Sequence, residues 1–597
     1  MKKVIRIGGA SGYWGESAMA TPQLLASGDL DYLVFDYLAE ITMSIMARAR
    51  AKDPAQGYAS DFIRVVLKDN LHDIARQGVR VISNAGGVNP EACAAAARAL
   101  IRETGLDLKV AVVTGDDLTS HAAGFAEAGV AEMFSGEHFP DAKRVASINA
   151  YLGAFPIAEA LGRGADIVIT GRCVDSAVTL GACIHEFGWQ ADDWDRLAAG
   201  TLAGHLIECG PQVTGGNFTD WEQVAATIQD IGYPIAEIDS VGVTTVTKPE
   251  GTGGLVSPGT VAEQMLYEIG DPQAYIVPDV VCDFSGVRFT QVAPDRVRVE
   301  GAKGTPATDN YKACATVADG FRGGTVMTFY GIDADAKARA FAEAAVARAR
   351  KTLRTLNIGD FREISIEVIG AESQYGAGRR IDGAREVAVK IAAKHDEQKG
   401  VGVLLREISG LGLATPPGLS GFQGGRPSPS PVVRLFSFLV PKAAVPITLN
   451  TDGDTVGLPI PKSMPARTSA IARPENPDRP DFGGTPITVP LIRLAWGRSG
   501  DKGDHANVGI IARNPDYLPF IWAALTEEVV AGVFAHFDPA RVERFYLPGP
   551  PAINFMIHEV LGGGGMASLR NDPQGKGYAQ ILLDYPIPVP ARLAGQV

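Results

Sequence analysis

Five short apolar runs, each closed by glycine or small polar residues, constrain this fold more than any other feature of the chain. They are Val4–Ile7, Tyr32–Phe35, Val79–Ile82, Val110–Val113 and Ile167–Ile169. Amphipathic segments such as Phe62–Arg76 and Pro90–Arg102 lie between them. Strands with no polar alternation are buried on both faces, and helices between them imply crossovers within a parallel sheet. The expected class is α/β, with a parallel-sheet, Rossmann-like domain over residues 1–233.

The texture changes near Pro234. Val241–Thr247, Arg296–Val299 and Glu363–Val368 are β-branched or alternate as strands do, whereas the alanine-rich Ala334–Leu353 reads as a long helix and Ile381–His395 as another. We read residues 234–440 as a mixed α+β region completing the main body. Residues 441–486 hold nine prolines and are expected to be a linker with polyproline character. The tail, 487–597, reads β-α-β-α-β, with strands near Val508–Ala512, Arg544–Leu547 and Tyr578–Leu583 and helices near Tyr517–Val533 and Ala552–Val560. That order suits a small ferredoxin-like domain.

With 55 basic against 68 acidic residues the net charge is −13, and no basic stripe is present, so nucleic acid is a poor partner. No apolar stretch reaches the roughly 18 residues of a membrane span, and the N-terminus turns to glycine too early for a signal peptide. The six cysteines are widely spaced without a C-x-x-C pair, which favours free thiols over a disulfide frame or zinc site. A cytoplasmic protein is expected, of a size and apolar content that suit a symmetric homo-oligomer.

In open parallel sheets, ligands bind beyond the carboxyl ends of the strands. After the first run, Gly8–Glu16 carries Gly9, Ser11 and Gly12, either a tight turn or an anion cradle; it is not G-x-G-x-x-G. Asp36 and Glu40 follow the second run and are spaced i, i+4, which suits ribose, metal or acid/base work, or a helix cap. Asn84, Gly86 and Gly87 form a polar rim after the third, and Asp116 follows the fourth. Arg172 and Asp175 follow the fifth, the arginine able to hold a carboxylate or phosphate, or to pair structurally with the aspartate. His205 and Glu208 are spaced i, i+3 before Gln212, Thr214 and Asn217. Cys173 and Cys209 lack a histidine or asparagine partner pattern for nucleophilic work. Lys248–Gly254 and Gly418–Ser430 are further glycine-rich loops, the second able to close over a ligand. In the tail, Gly497–Asn507 packs Arg498, Asp501 and Lys502 between two strand-like runs.

Together these stretches resemble the AtuA family, named for acyclic terpene utilisation. The carriers are Gly8–Tyr13, Asp36–Glu40, Asn84–Gly87, Thr170–Ser176, Glu208–Gly210, Gln212–Phe218 and Arg498–Gly503. The tail resembles the ferredoxin-fold module that accompanies the family. The resemblance implies a place in the breakdown of citronellol- and geraniol-type acids as CoA thioesters, beside carboxylases and hydratases. It carries over no catalytic residues.

Two functions follow. One is a lyase or hydratase acting on a branched, terpenoid acyl-CoA or related carboxylate. Its acid/base groups would be drawn from Asp36, Glu40, Asp175, His205 and Glu208, with Arg172 and the amides of Gly8–Gly12 and Gly86–Gly87 holding the anion. The reading assigns no definite cofactor: CoA enters as part of the substrate thioester, and the acids could instead hold a divalent metal. The other is a non-catalytic subunit that binds acyl-CoA or scaffolds a neighbouring pathway enzyme. A nicotinamide oxidoreductase is third, weakened by the missing G-x-G-x-x-G.

Overall fold

A computed structural model describes residues 3–421, 425, 427–459 and 471–593. The five apolar runs are strands: β1 (Val4–Ser11), β2 (Tyr32–Phe35), β3 (Arg80–Ser83), β4 (Val110–Thr114) and β5 (Ile167–Thr170). They lie in the order β1-β2-β3-β5-β4, all parallel. Alternate residues feed two cores. Leu33, Val81, Val110 and Ile167 meet the helices Ala20–Ala26, Lys68–Gln77 and Pro90–Thr104, whereas Val34, Ile82, Ala111 and Val168 meet Phe155–Gly162, Ala177–Phe187 and Trp194–Ile207. Burial on both faces explains runs that are apolar throughout.

This parallel core is the middle of a larger mixed sheet. Ile235–Asp239 pairs antiparallel with β1 and is followed across the sheet by Thr244–Thr247, Arg296–Glu300 and Arg288–Ala293. Hydrogen bonding therefore continues through residue 234. On the other edge, Thr448–Thr451 pairs antiparallel with β4 and turns into Asp454–Gly457, so part of the proline-rich stretch is a hairpin of the main sheet.

A second sheet is built on the 21-residue strand Asn310–Tyr330, which pairs with Val145–Ala150, Glu386–His395 and Ser430–Pro441. The helix expected over Ile381–His395 is instead the strand Glu386–His395. Val387, Val389, Ile391 and Ala393 alternate inward against the helices Ala334–Thr355 and Gln398–Gly410, a period of two rather than 3.6.

The tail forms a four-stranded antiparallel sheet in the order Ala495–Lys502, His505–Ala512, Ala552–His558, Arg541–Leu547. Here Ala552–Val560 was expected to be helical and is a central strand, while Tyr578–Leu583, expected as a strand, carries the helix Tyr578–Leu582. A strand whose first six residues are all buried offers no alternation to read. The expected single helix is two, Leu518–Ala524 and Glu527–Val533. Among the described residues no helix is long and apolar enough to cross a membrane.

Candidate active site

The carboxyl ends of β2, β3, β4 and β5 converge, and the groups following them meet the end of the helix Trp194–Ile207. Arg172 is buried at the centre. Its Nη1 donates to Asp175 Oδ1 at 2.6 Å and to the Cys173 carbonyl at 3.1 Å, and its guanidinium lies 4.2 Å from the centre of the Tyr151 ring. Tyr151 donates its hydroxyl to Glu40, which also pairs with Lys312 at 3.3 Å. A small cleft, partly open to solvent, is lined by Glu40, Asn149, Tyr151 and Arg172 together with Met43, Cys314 and Thr316.

The acids sit in different electrostatic settings. Burial works against the charge on Glu40, but Lys312 and Arg172 outweigh it and hold the carboxyl ionised, well below the usual range. Asp36 goes the other way. Burial, with Asp175 and Glu208 nearby, pushes its carboxyl well above the ordinary value despite Arg172. Its Oδ1 accepts from Asn84 Nδ2 at 2.5 Å and from the Leu38 amide at 3.3 Å. Asp36 and Glu40 do not share a helix face, since the helix begins at Glu40.

His205 and Glu208 form a buried pair. His205 Nδ1 lies 2.8 Å from Glu208 Oε1, and Nε2 lies 3.0 Å from the Met265 carbonyl. Burial raises the Glu208 carboxyl to about 7, and the adjoining histidine pulls it only part of the way back. Burial alone would lower His205, but the charge and hydrogen bond of Glu208 turn the shift upward. Glu208 Oε2 and Arg172 Nε are buried without a hydrogen-bond partner in the protein, an arrangement that is costly unless a ligand or water completes it.

Asp116 is buried behind Arg172, its Oδ2 accepting from the Arg172 amide and from Asn149 Nδ2, both at 2.8 Å. Burial lifts its carboxyl to about 7. Burial also raises the Cys173 thiol to about 12 and Cys209 well above its ordinary value, so neither presents a thiolate at neutral pH.

The glycine turns are filled by protein. The amides of Gly9 and Gly12 donate to the Pro234 carbonyl at 2.9 Å and Glu16 Oε2 at 2.6 Å, and the Ser11 hydroxyl donates to the Tyr13 carbonyl. Those of Gly86 and Gly87 donate to the carbonyls of Thr170 and Asn84. A Cβ on Gly9 would stand 2.5 Å from the Ile207 carbonyl oxygen, and one on Gly86 2.5 Å from that of Thr170. These positions are glycine because backbone passes against backbone.

The tail reaches this region. Asp501 and Lys502 end the first strand of a hairpin whose turn is Gly503-Asp504, so the expected loop is largely strand. Arg498 donates to Gln212 Oε1 and, at 3.0 Å, to the Asn217 carbonyl, and its guanidinium stands 4.6 Å from the Tyr267 ring centre. Thr214 is turned inward, donating to the Pro211 and Gly232 carbonyls. Asn217 is exposed, in the left-handed region at φ 59°. Lys248 pairs with Asp295. In Gly418–Ser430, residues Phe422, Gln423, Gly424 and Arg426 lie outside the described residues. Among the described residues no group of three or more His, Cys, Asp or Glu side chains is arranged to hold a metal ion.

A family model described as the acyclic terpene utilisation family protein AtuA matches residues 5–451. The chain belongs to the AtuA family. A second model, the AtuA ferredoxin-like domain, matches residues 489–588. No curated protein matches the chain. Membership of the AtuA family implies a role in acyclic terpene utilisation.

Sequence reasoning missed Tyr151, Lys312 and Asn149. Lys312 carried a signal, as a lone cation in the otherwise small and apolar run Tyr311–Val317. Tyr151 follows a strand that pairs with Asn310–Tyr330, remote in sequence, and nothing local marked it.

Proposed function

We propose that this AtuA-family protein is a hydratase or related lyase acting on a branched, acyclic terpenoid acyl thioester or carboxylate. The observation that carries it is the buried pair of Asp36 and Glu208 beside Arg172, two acids that burial pushes upward, Glu208 to about 7 and with an unpartnered oxygen. Pairs of acids with shifted affinities suit proton transfer in both directions.

For hydration of an enoyl thioester, ionised Glu208, oriented by His205, takes a proton from water. The water oxygen bonds to the β carbon while the C=C π pair moves toward the carbonyl. Protonated Asp36 then delivers its proton to the α carbon, and proton exchange between the acids and solvent restores the starting state. Arg172 and Tyr151 would stabilise negative charge on the thioester oxygen. Met43 and Cys314 give the cleft a soft apolar side for a hydrocarbon branch.

The test is incubation of the protein with branched enoyl- and 3-hydroxyacyl-CoAs while masses are followed. A change of one water supports hydration, and cleavage into two acyl products a carbon–carbon lyase. Full activity of both Asp36→Asn and Glu208→Gln would sink the assignment. No turnover, with clear thermal stabilisation by one thioester, would instead favour a binding subunit.

A further inference from the structure

The ferredoxin-like module is clamped to the main body by buried amides. Asn507 accepts from the Glu268 amide at 2.9 Å and donates to the Leu266 carbonyl at 2.6 Å, while Asn554 donates to the carbonyls of Ile269 and Gly270. Both asparagines are fully buried, so leaving them unpaired would be costly. Trp496 and Arg513 add three hydrogen bonds to Asp220. The hairpin bearing Asp501 and Lys502 is thereby held against Tyr267 and Glu268, next to the end of the chain that carries His205 and Glu208.

The cations there differ in how they are used. Arg172 pairs with Asp175, Lys312 with Glu40, and Lys576 with Glu268 and Asp501. Lys502 is half-buried, and among the described residues its ammonium makes no ion pair or hydrogen bond. It is nonetheless close enough for its charge to act on His205, Glu208, Glu268 and Asp501. Arg498, four residues earlier on the same face of that strand, is buried, hydrogen-bonds only to neutral oxygens, has the Glu263 carboxyl near enough to feel its charge, and leaves Nε unpartnered. One strand face of the module thus carries two cations that form no ion pair among the described residues, and Lys502 is the one whose charge reaches His205 and Glu208.

We propose that the C-terminal module completes the active site and that Lys502 holds an anionic group of the substrate, a carboxylate or a phosphate. The location rests on the proposed function; the anion-holding role does not require turnover. The two sources of such a group are the phosphates of CoA and a second carboxylate on the acyl chain.

The test uses the full-length protein with CoA and glutarate as separate probes in thermal-shift titrations. At least one probe is expected to stabilise the wild type. Lys502→Met is expected to weaken that probe about tenfold or more while Lys502→Arg stays within about threefold, with circular dichroism unchanged. Stabilisation by CoA assigns the phosphates, and by glutarate a carboxylate. Should Lys502→Met melt early, Lys502→Gln takes its place. Unchanged affinity in these variants overturns the proposal, as does a wild type stabilised by neither probe. Turnover separates the two ideas. Lost binding in Lys502→Met beside a wild type that converts no thioester leaves Lys502 standing and removes the hydratase. Turnover with an unchanged KM in Lys502→Met removes Lys502 and leaves the hydratase.

Discussion

The glycine turns after β1 and β3 and the acid cluster beside them lie at the same end of the same sheet, yet they are opposites. At Gly9, Gly12, Gly86 and Gly87 every amide already has a partner in the chain, and the absent side chains make room for backbone. At Arg172 and Glu208, buried polar atoms are left over. A glycine-rich turn at a strand end is ambiguous between cradling a ligand and admitting a neighbouring segment. Hydrogen-bond accounting separates the two, and here it sends the chemistry to side chains.

Breaking the packing half of that contrast should have the largest effect. Gly86→Ala puts a Cβ 2.5 Å from the Thr170 carbonyl oxygen, and we expect loss of folding or several kcal/mol of destabilisation in urea melts. A fold that tolerates alanine here would return the turn to the ligand. Glu208→Gln should do the reverse, leaving the melting temperature within a few degrees while kcat falls about 10²–10⁴-fold. In the wild type, kcat/KM should lose activity below about pH 7 as Glu208 takes up its proton.

A third prediction concerns stability alone. Native Asp116 keeps its proton to about pH 7, whereas the unfolded carboxyl loses it near 3.8. Between those values the unfolded state binds fewer protons, so this group makes stability fall as pH rises. Asp116→Asn should flatten that slope between about pH 4 and 7 and raise stability at pH 8 by a few kcal/mol, read from denaturant melts across the range. An unchanged slope would show that Asp116 ionises normally in the fold. The smallest effect is expected for Cys173→Ala. With a thiol held protonated by burial, activity should stay within about threefold in initial-rate assays, and a larger loss would bring the thiol into the chemistry.

Legibility followed the range of the interactions. The parallel strands were readable because burial on both faces leaves an unbroken apolar run, and Arg172–Asp175 and His205–Glu208 because three residues of local chain bring each pair together. The strand Glu386–His395 was read as helix because its inward alternation is blurred by alanines at 388, 392 and 393. Ala552–His558 failed for the opposite reason, a central strand with nearly every residue buried. Tyr151 and Lys312 could not be joined to Glu40 beforehand, since their meeting depends on Val145–Ala150 pairing with Asn310–Tyr330.

By itself the sequence determined the α/β core, the strand ends where polar residues gather, the family and the accompanying ferredoxin-like module. Local periodicity and short spacings are enough for the core and the strand ends, and the resemblance carried by the motifs is what identifies the family and its module. Only the tertiary structure decided that the glycine amides are consumed, that neighbouring cations favour the charge on Glu40 while burial disfavours it on Asp36, and that the hairpin of the module packs against Tyr267 and Glu268. The carboxyl settings depend on desolvation and on charges from segments remote in sequence, and the packing of glycine and hairpin on backbone brought together by the fold, none of which is encoded in the neighbours of any one residue.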